Sequence, residues 1–169
     1  EGRKAIGGKL VQGKVTAIDG AGKKVKLANG TERAYDRLIL SPGIDFMLDG
    51  TPGLAGALDS GRVLHSWKAG PQTVALRKQL EAMADGGVVA ISIPKVPYRC
   101  PPGPYERACM VASYLKVAKP RSKVLVLDAN PEIQSKKALF ERAFKQHYDG
   151  ILEYRPNNEL KEVSGTTAK

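Results

Sequence analysis

The chain has 169 residues, of which 42% are hydrophobic, and its 27 Lys and Arg exceed its 17 Asp and Glu to give a net charge of +10. This composition is typical of a globular protein with one good core or two small ones, and it excludes a disordered chain. Three Phe and one Trp are too few to interleave the basic residues with stacking partners, so no nucleic acid is expected as a ligand. No apolar run approaches the length of a membrane span, so none is predicted.

The first region, residues 8–40, has a pattern typical of β-structure. An Asp-Gly and an Asn-Gly turn signal separate three short segments, the first of which begins at Lys9. This spacing predicts an antiparallel β-meander. The apolar residues 37–40 are then predicted to form a short buried strand. Residues 44–64 are rich in Gly and small side chains, which is typical of a connection.

The second region, residues 65–169, alternates helical and strand patterns. The predicted elements are helix 71–84, strand 88–93, helix 105–118, strand 124–127, helix 136–148 and strand 151–154. This order predicts a Rossmann-like, doubly wound parallel sheet, and the fold class is α/β. The domain boundary is placed between residues 64 and 65, so that the β-meander precedes the Rossmann-like domain.

The loop between strand 88–93 and helix 105–118 is the most informative stretch of the chain. A nucleotide-binding unit would carry a Gly-rich phosphate loop here, but residues 99–108 (RCPPGPYERA) hold three prolines, one glycine and a cysteine. Proline offers no N–H to a phosphate, so the loop disfavours an NAD-dependent reductase. It favours a rigid thiol, because a helix N-terminus stabilises a thiolate. Cys100 is therefore the candidate catalytic residue.

The second cysteine, the two histidines and the aspartate at the end of strand 124–127 give no second catalytic pattern. Cys109 follows at helical spacing and is expected to pack as a small apolar residue, unpaired with Cys100. Two cysteines without CxxC spacing form neither a disulfide framework nor a zinc site, so no metal is predicted. His65 and His147 have no partner pattern. Asp128 stands where a ribose-binding acid often lies, but without a glycine loop it is interpreted as a cap or a relic.

Three stretches together resemble one family. Residues 34–46 (AYDRLILSPGIDF) resemble the second flavin-domain motif of the two-dinucleotide-domain flavoproteins, and residues 65–73 (HSWKAGPQT) resemble the start of their second domain. Residues 99–108 resemble the redox-cysteine loop of the flavoprotein (FAD-binding) subunit of flavocytochrome c sulfide dehydrogenase, a relative of the sulfide:quinone oxidoreductases. The family's Gly-rich FAD loop, its flavin-bearing cysteine and its second redox cysteine have no counterpart here, as expected for an internal fragment.

The resemblance implies a function in sulfide oxidation. The complete protein would be an FAD-dependent sulfide:cytochrome c oxidoreductase in the periplasm, and the fragment alone is expected to be inactive. Cys100 would be one half of a disulfide that sulfide attacks, leaving a persulfide, and electrons would reach FAD and then haem c in a c-type cytochrome subunit. Glu106 matches the family's active-site glutamate and would move a proton on sulfide or on a cysteine; alternatively, it only stabilises the helix N-terminus.

The resemblance also implies which residues contact FAD in the complete protein. Ser41, Pro42 and Gly43 would lie near its phosphates, since glycine allows close approach of the backbone. Lys14 and Val15 would offer backbone contacts to the adenine. A plain turn and a plain strand are the alternatives. The fragment itself is expected to bind FAD poorly.

Two other functions remain open at this point. A sulfide:quinone oxidoreductase would share the chemistry but needs an amphipathic membrane anchor. A non-catalytic Rossmann-like binding module would keep the frame without the redox function, and a buried, unreactive Cys100 would favour it.

Overall fold

The computed structural model describes residues 7–165 and the backbone of residues 167 and 168. The chain forms two compact units, one ending at Ile44 and the other beginning at Asp45. The sequence placed a domain boundary later, between residues 64 and 65. The stretch between the two boundaries packs within the second unit, where the N–H of Val163 donates to the carbonyl of Pro52 (2.9 Å). The assignment of the two regions to cofactor domains stays a prediction.

The first unit is a small antiparallel sheet. Its strands are β1 (Val15–Asp19), β2 (Lys24–Leu27) and β3 (Glu32–Ala34), in the order β1-β2-β3. The turn between β2 and β3 is supported by Asn29, whose side-chain oxygen accepts the N–H of Thr31 (3.0 Å). The predicted β-meander is therefore confirmed, although its first strand begins at Val15 and not at Lys9.

The prediction of a buried strand at residues 37–40 is wrong. The segment has no strand hydrogen bonding, and Leu38, Ile39 and Leu40 are 37%, 89% and 63% exposed. A strand is stabilised by hydrogen bonds to a neighbouring strand, and no described strand pairs with this segment. Its apolar sequence indicates a preference for burial that the described residues do not satisfy.

The second unit alternates helices and strands. Its elements are a 3-10 turn (Leu48–Gly50), α1 (Leu54–Asp59), α2 (Pro71–Ala82), β4 (Val88–Ile93), α3 (Gly103–Ala118), β5 (Lys123–Asp128), α4 (Lys137–His147), β6 (Leu152–Arg155) and the short pair β7 (Val163–Ser164) and β8 (Thr167–Ala168). Helix α3 begins earlier than predicted, because Pro104 suits the first turn of a helix, where its missing N–H costs nothing.

The central sheet of the second unit is parallel. Its order is β4-β5-β6, and β4 pairs with β5 in register from Val88 opposite Lys123 to Ile93 opposite Asp128. Helix α3 connects β4 to β5, and α4 connects β5 to β6. The predicted α/β class and the predicted adjacency of the two parallel strands are both confirmed. As a result, the loops that follow the three strands lie at one edge of the sheet.

The core lies between this sheet and α3 with α4. Tyr105, Ala108, Ala112 and Leu115 are all fully buried, and their spacing places them on one face of α3. They pack against the buried strand residues Ile93, Val124, Val126 and Leu152 and against the aromatic side chains of α4, Phe140 and Phe144. This packing fixes the start of α3 against the carboxyl ends of β4 and β5.

Within the described residues, no helix combines the length and apolar character that crossing a lipid bilayer requires.

Candidate functional site

Cys100 lies in the loop that leads from β4 into α3. Its backbone φ is 57°, in the left-handed region that a side-chain-bearing residue rarely adopts. The turn is closed by the N–H of Gly103, which donates to the Cys100 carbonyl (2.9 Å), and α3 begins at that glycine. The side chain is exposed and forms no disulfide. The loop therefore presents a free thiol at the start of a helix, as the sequence predicted.

Two aromatic side chains lie beside this thiol. A Cβ atom built on Gly103 would lie 3.4 Å from Cys100 Sγ and 3.6 Å from Cζ3 of Trp67, so the thiol and the indole ring both border this glycine. Trp67 packs edge-on against Tyr98, with ring centroids 6.2 Å apart. Burial is the main cause of the raised pKa of Tyr98, and the nearby charges of Asp128 and Cys100 also raise it.

Sequence reasoning did not connect Trp67 or Tyr98 with the cysteine. The only available signal was that Trp67 falls in residues 65–73, one of the three stretches that carry the family resemblance. In the structure, the partly buried rings of Trp67 and Tyr98 form an aromatic border beside the exposed thiol.

Glu106 lies in the first turn of α3 and is exposed. The clearest effect of its charge is on Cys109, one helical turn away. The pKa of the Cys109 thiol is raised mainly by burial and in addition by Glu106. Among the described residues, no ion pair or side-chain hydrogen bond engages the Glu106 carboxylate. Its predicted role at Cys100 stays a prediction.

Iodoacetamide is expected to label Cys100 faster than Cys109 in the folded, reduced protein. Cys100 is exposed, whereas burial and the charge of Glu106 raise the pKa of Cys109. The difference should be about tenfold or more near neutral pH and should shrink as the pH rises, because the thiolate is the reactive form. Peptide mass spectrometry after brief labelling over a pH series measures both rates. Denatured protein, in which the two rates should converge, is the control, and faster labelling of Cys109 in folded protein would contradict the assignment.

A buried carboxylate lies at the end of β5, next to this loop. Asp128 is fully buried, and its Oδ2 accepts hydrogen bonds from the hydroxyls of Tyr105 (2.6 Å) and Tyr154 (3.0 Å). Its Oδ1 accepts from the backbone N–H (2.9 Å) and the side-chain amide (2.7 Å) of Asn130. Burial, followed by the hydrogen bond to Asp128, raises the pKa of both tyrosines.

These bonds decide between the roles that the sequence allowed for Asp128. A carboxylate has about four acceptor positions, and protein donors occupy them here. Asp128 is therefore an internal cap and is not presented to the ribose of a dinucleotide. Together with the proline-filled loop, this arrangement removes two of the groups that a Rossmann domain uses to bind NAD.

The residues predicted to contact FAD lie in the first unit. Ser41, Pro42 and Gly43 lie in an exposed segment outside the helices and strands, and Gly43 has a φ of 85° with no atom within 4 Å of a Cβ built on it. An open segment with a left-handed glycine fits the close approach of a phosphate group. Lys14 and Val15 are also exposed, and the Lys14 carbonyl accepts the N–H of Ala28 (2.8 Å).

Among the described residues, no three His, Cys, Asp or Glu side chains cluster in a way that could hold a metal ion.

Comparison with known families and curated proteins gives two findings. Residues 73–169, more than half of the chain, match a family model described as the central part of the flavoprotein chain of sulfide dehydrogenase (flavocytochrome c). An NADH dehydrogenase-like protein from two strains of Mycobacterium tuberculosis is 28% identical over 137 residues, which is 78% of this chain. The chain spans about a third (33%) of the length of these curated relatives.

Comparison with solved structures finds proteins of similar fold. The sulfide:quinone oxidoreductase of Aquifex aeolicus superimposes with a TM-score of 0.70 at 20% identity, over 95% of this chain and 38% of that structure. A ferredoxin reductase from Rhodopseudomonas palustris gives a TM-score of 0.68 at 20% identity, over 96% of this chain and 36% of that structure. At this level of identity the two matches show the fold alone.

Proposed function

Because the chain belongs to the family of the flavoprotein chain of flavocytochrome c sulfide dehydrogenase, we propose that it carries one half of the redox disulfide of an FAD-dependent sulfide:cytochrome c oxidoreductase. The family places it among the flavoprotein oxidoreductases. The proposed redox role rests on the position of Cys100, which is an exposed and unpaired thiol in the loop where a nucleotide-binding domain would hold its phosphates.

In the proposed reaction, hydrosulfide attacks Sγ of Cys100 in a disulfide with a second cysteine supplied from outside this sequence. A new S–S bond forms at Cys100, the old disulfide bond breaks, and the second sulfur leaves as a thiolate. The proton carried by hydrosulfide remains on the resulting persulfide or passes to the carboxylate of Glu106. A further hydrosulfide takes the outer sulfur away as a polysulfide and leaves Cys100 as a thiolate. FAD, when bound, would accept the two electrons released when the two cysteine thiolates re-form their disulfide.

Residues of the first unit would hold the cofactor. The exposed segment of Ser41, Pro42 and Gly43 would lie at its phosphates, because the open left-handed glycine permits close approach. Lys14 and Val15 would offer backbone contacts to its adenine. The proposal extends to a c-type cytochrome subunit carrying haem c as electron acceptor and to the periplasm as compartment, since disulfides persist there.

Two observations argue against NADH as the electron donor, although two curated relatives are called NADH dehydrogenase-like. The prolines of the loop cannot donate N–H groups to a pyrophosphate, and Asp128 is engaged internally. A sulfide:quinone oxidoreductase is the second candidate. It would use the same cysteine chemistry and differ in the acceptor of the electrons.

Sulfide, but not NADH, is therefore expected to bleach the flavin absorbance of the full-length protein in anaerobic stopped-flow experiments. Oxidised c-type cytochrome and a soluble quinone, each added after reduction, distinguish the two candidate acceptors. Samples matched for FAD content provide the control. Rapid bleaching by NADH would contradict the proposal, and reoxidation by quinone alone would favour the second candidate.

A further inference from the structure

The segment that carries Cys100 is tied at both ends to one buried polar cluster. The cluster consists of Asp128 and Asn130, which follow each other closely at the end of β5 and are 0% and 2% exposed. One tie reaches the chain just after β4, and the other reaches the first turn of α3. Cys100 lies between them.

Asn130 makes the first tie. Its side-chain oxygen accepts the N–H of Val96 (3.0 Å), and its amide nitrogen donates to the carbonyl of Pro94 (3.0 Å). The same amide donates to Asp128 (2.7 Å). A primary amide with both ends engaged in this way has one orientation only, so it fixes the backbone that leaves β4.

Tyr105 makes the second tie. Its side chain is fully buried, and its hydroxyl donates to Asp128 (2.6 Å) and accepts the N–H of Gln134 (3.2 Å). Its ring packs against Phe140 of α4, with centroids 5.4 Å apart. The first turn of α3 is therefore held to the same carboxylate as the exit of β4.

The backbone of Cys100 has a left-handed conformation, which needs support from the surrounding structure. A non-glycine residue keeps such a conformation only when its surroundings over-determine it, and Cys100 itself is exposed. We propose that Asp128, Asn130 and Tyr105 are positioning residues that hold Cys100 at the start of α3 and thereby set the reactivity of its thiol. The importance of this role for sulfide oxidation rests on the proposed function, whereas the alkylation rate of Cys100 can be measured independently of it.

A matched pair of tyrosine variants tests the proposal. Tyr105→Phe and Tyr154→Phe each remove one hydroxyl that donates to the same oxygen of Asp128, but Tyr154 lies on β6, outside the loop and α3. The measurement is the iodoacetamide labelling rate of Cys100 and, separately, that of Cys109, determined by peptide mass spectrometry in reduced full-length protein. General destabilisation raises the rate of the partly buried Cys109, whereas loss of positioning lowers the rate of the exposed Cys100.

Tyr105→Phe is expected to lower the labelling rate of Cys100 about threefold or more while that of Cys109 stays unchanged, because a loosened loop no longer holds the thiol in the field of the helix N-terminus. Tyr154→Phe should leave both rates unchanged. Asn130→Ala, which removes the other tie, should lower the rate of Cys100 as Tyr105→Phe does, and it provides the test if Tyr105→Phe does not fold. Its control is Ser122→Ala, which removes a buried hydroxyl that accepts the N–H of Gly86 (2.9 Å) before β4. An unchanged Cys100 rate in the loop variants, or an equal fall in the controls, would overturn the proposal.

Discussion

Cys100→Ser is expected to abolish sulfide-dependent reduction of the flavin in the full-length protein while FAD remains bound. A serine hydroxyl nearly preserves the shape of the side chain but can form neither a disulfide nor a persulfide. The residues proposed to hold the cofactor lie in the first unit, so the ratio of FAD to protein should match that of the wild type. Anaerobic stopped-flow measurement of flavin bleaching by sulfide reports the loss.

Cys109→Ser is the matched control for this variant. Cys109 lies on α3 and is partly buried, and its pKa is raised by its surroundings, so its replacement should leave the bleaching rate close to that of the wild type. Wild-type bleaching in Cys100→Ser would show that sulfide reduces the flavin without this cysteine.

Glu106→Gln is expected to slow the same reaction by about 10²–10⁴-fold without abolishing it, since this is the usual contribution of a positioned general acid or base. The substitution keeps the size of the side chain and removes its negative charge together with its ability to take a proton. The rate of flavin bleaching at saturating sulfide measures the effect.

The exposed Glu141 of α4 provides the comparison, and Glu141→Gln should leave the bleaching rate unchanged. A wild-type rate in Glu106→Gln would reduce Glu106 to a favourable charge at the start of α3, which was the alternative open from the sequence.

The parts of the fold that depend on local pattern and element order could be predicted from the sequence. The parallel pairing of β4 with β5 follows from the strand-helix-strand order. The position of Cys100 follows from its place between a strand and a helix and from the prolines around it. In each case the information lies within a short stretch of chain or in the succession of neighbouring elements.

The parts that depend on distant residues could not be predicted. Trp67 borders the cysteine loop from another segment of the chain, and no periodicity links the two. The sequence places Asp128 at the end of a strand, where a ligand contact and an internal cap are equally compatible with the pattern. The hydroxyls of Tyr105 and Tyr154, which come from two other elements, complete the set of donors that distinguishes the two roles.

The apolar residues 37–40 failed as a predicted strand for a related reason. Their composition reports a tendency to be buried, but pairing requires a neighbouring strand, and the described residues provide none.

The most direct test of Cys100 as the sulfur acceptor is peptide mass spectrometry of oxidised full-length protein, mixed anaerobically with limiting sulfide and quenched with iodoacetamide. The peptide that contains Cys100 is expected to carry one additional sulfur atom between Sγ and the alkyl group, and the cysteine released from the disulfide should be alkylated directly. A spectrum in which another cysteine carries the additional sulfur, while Cys100 is alkylated directly or unchanged, would contradict the proposed role of Cys100.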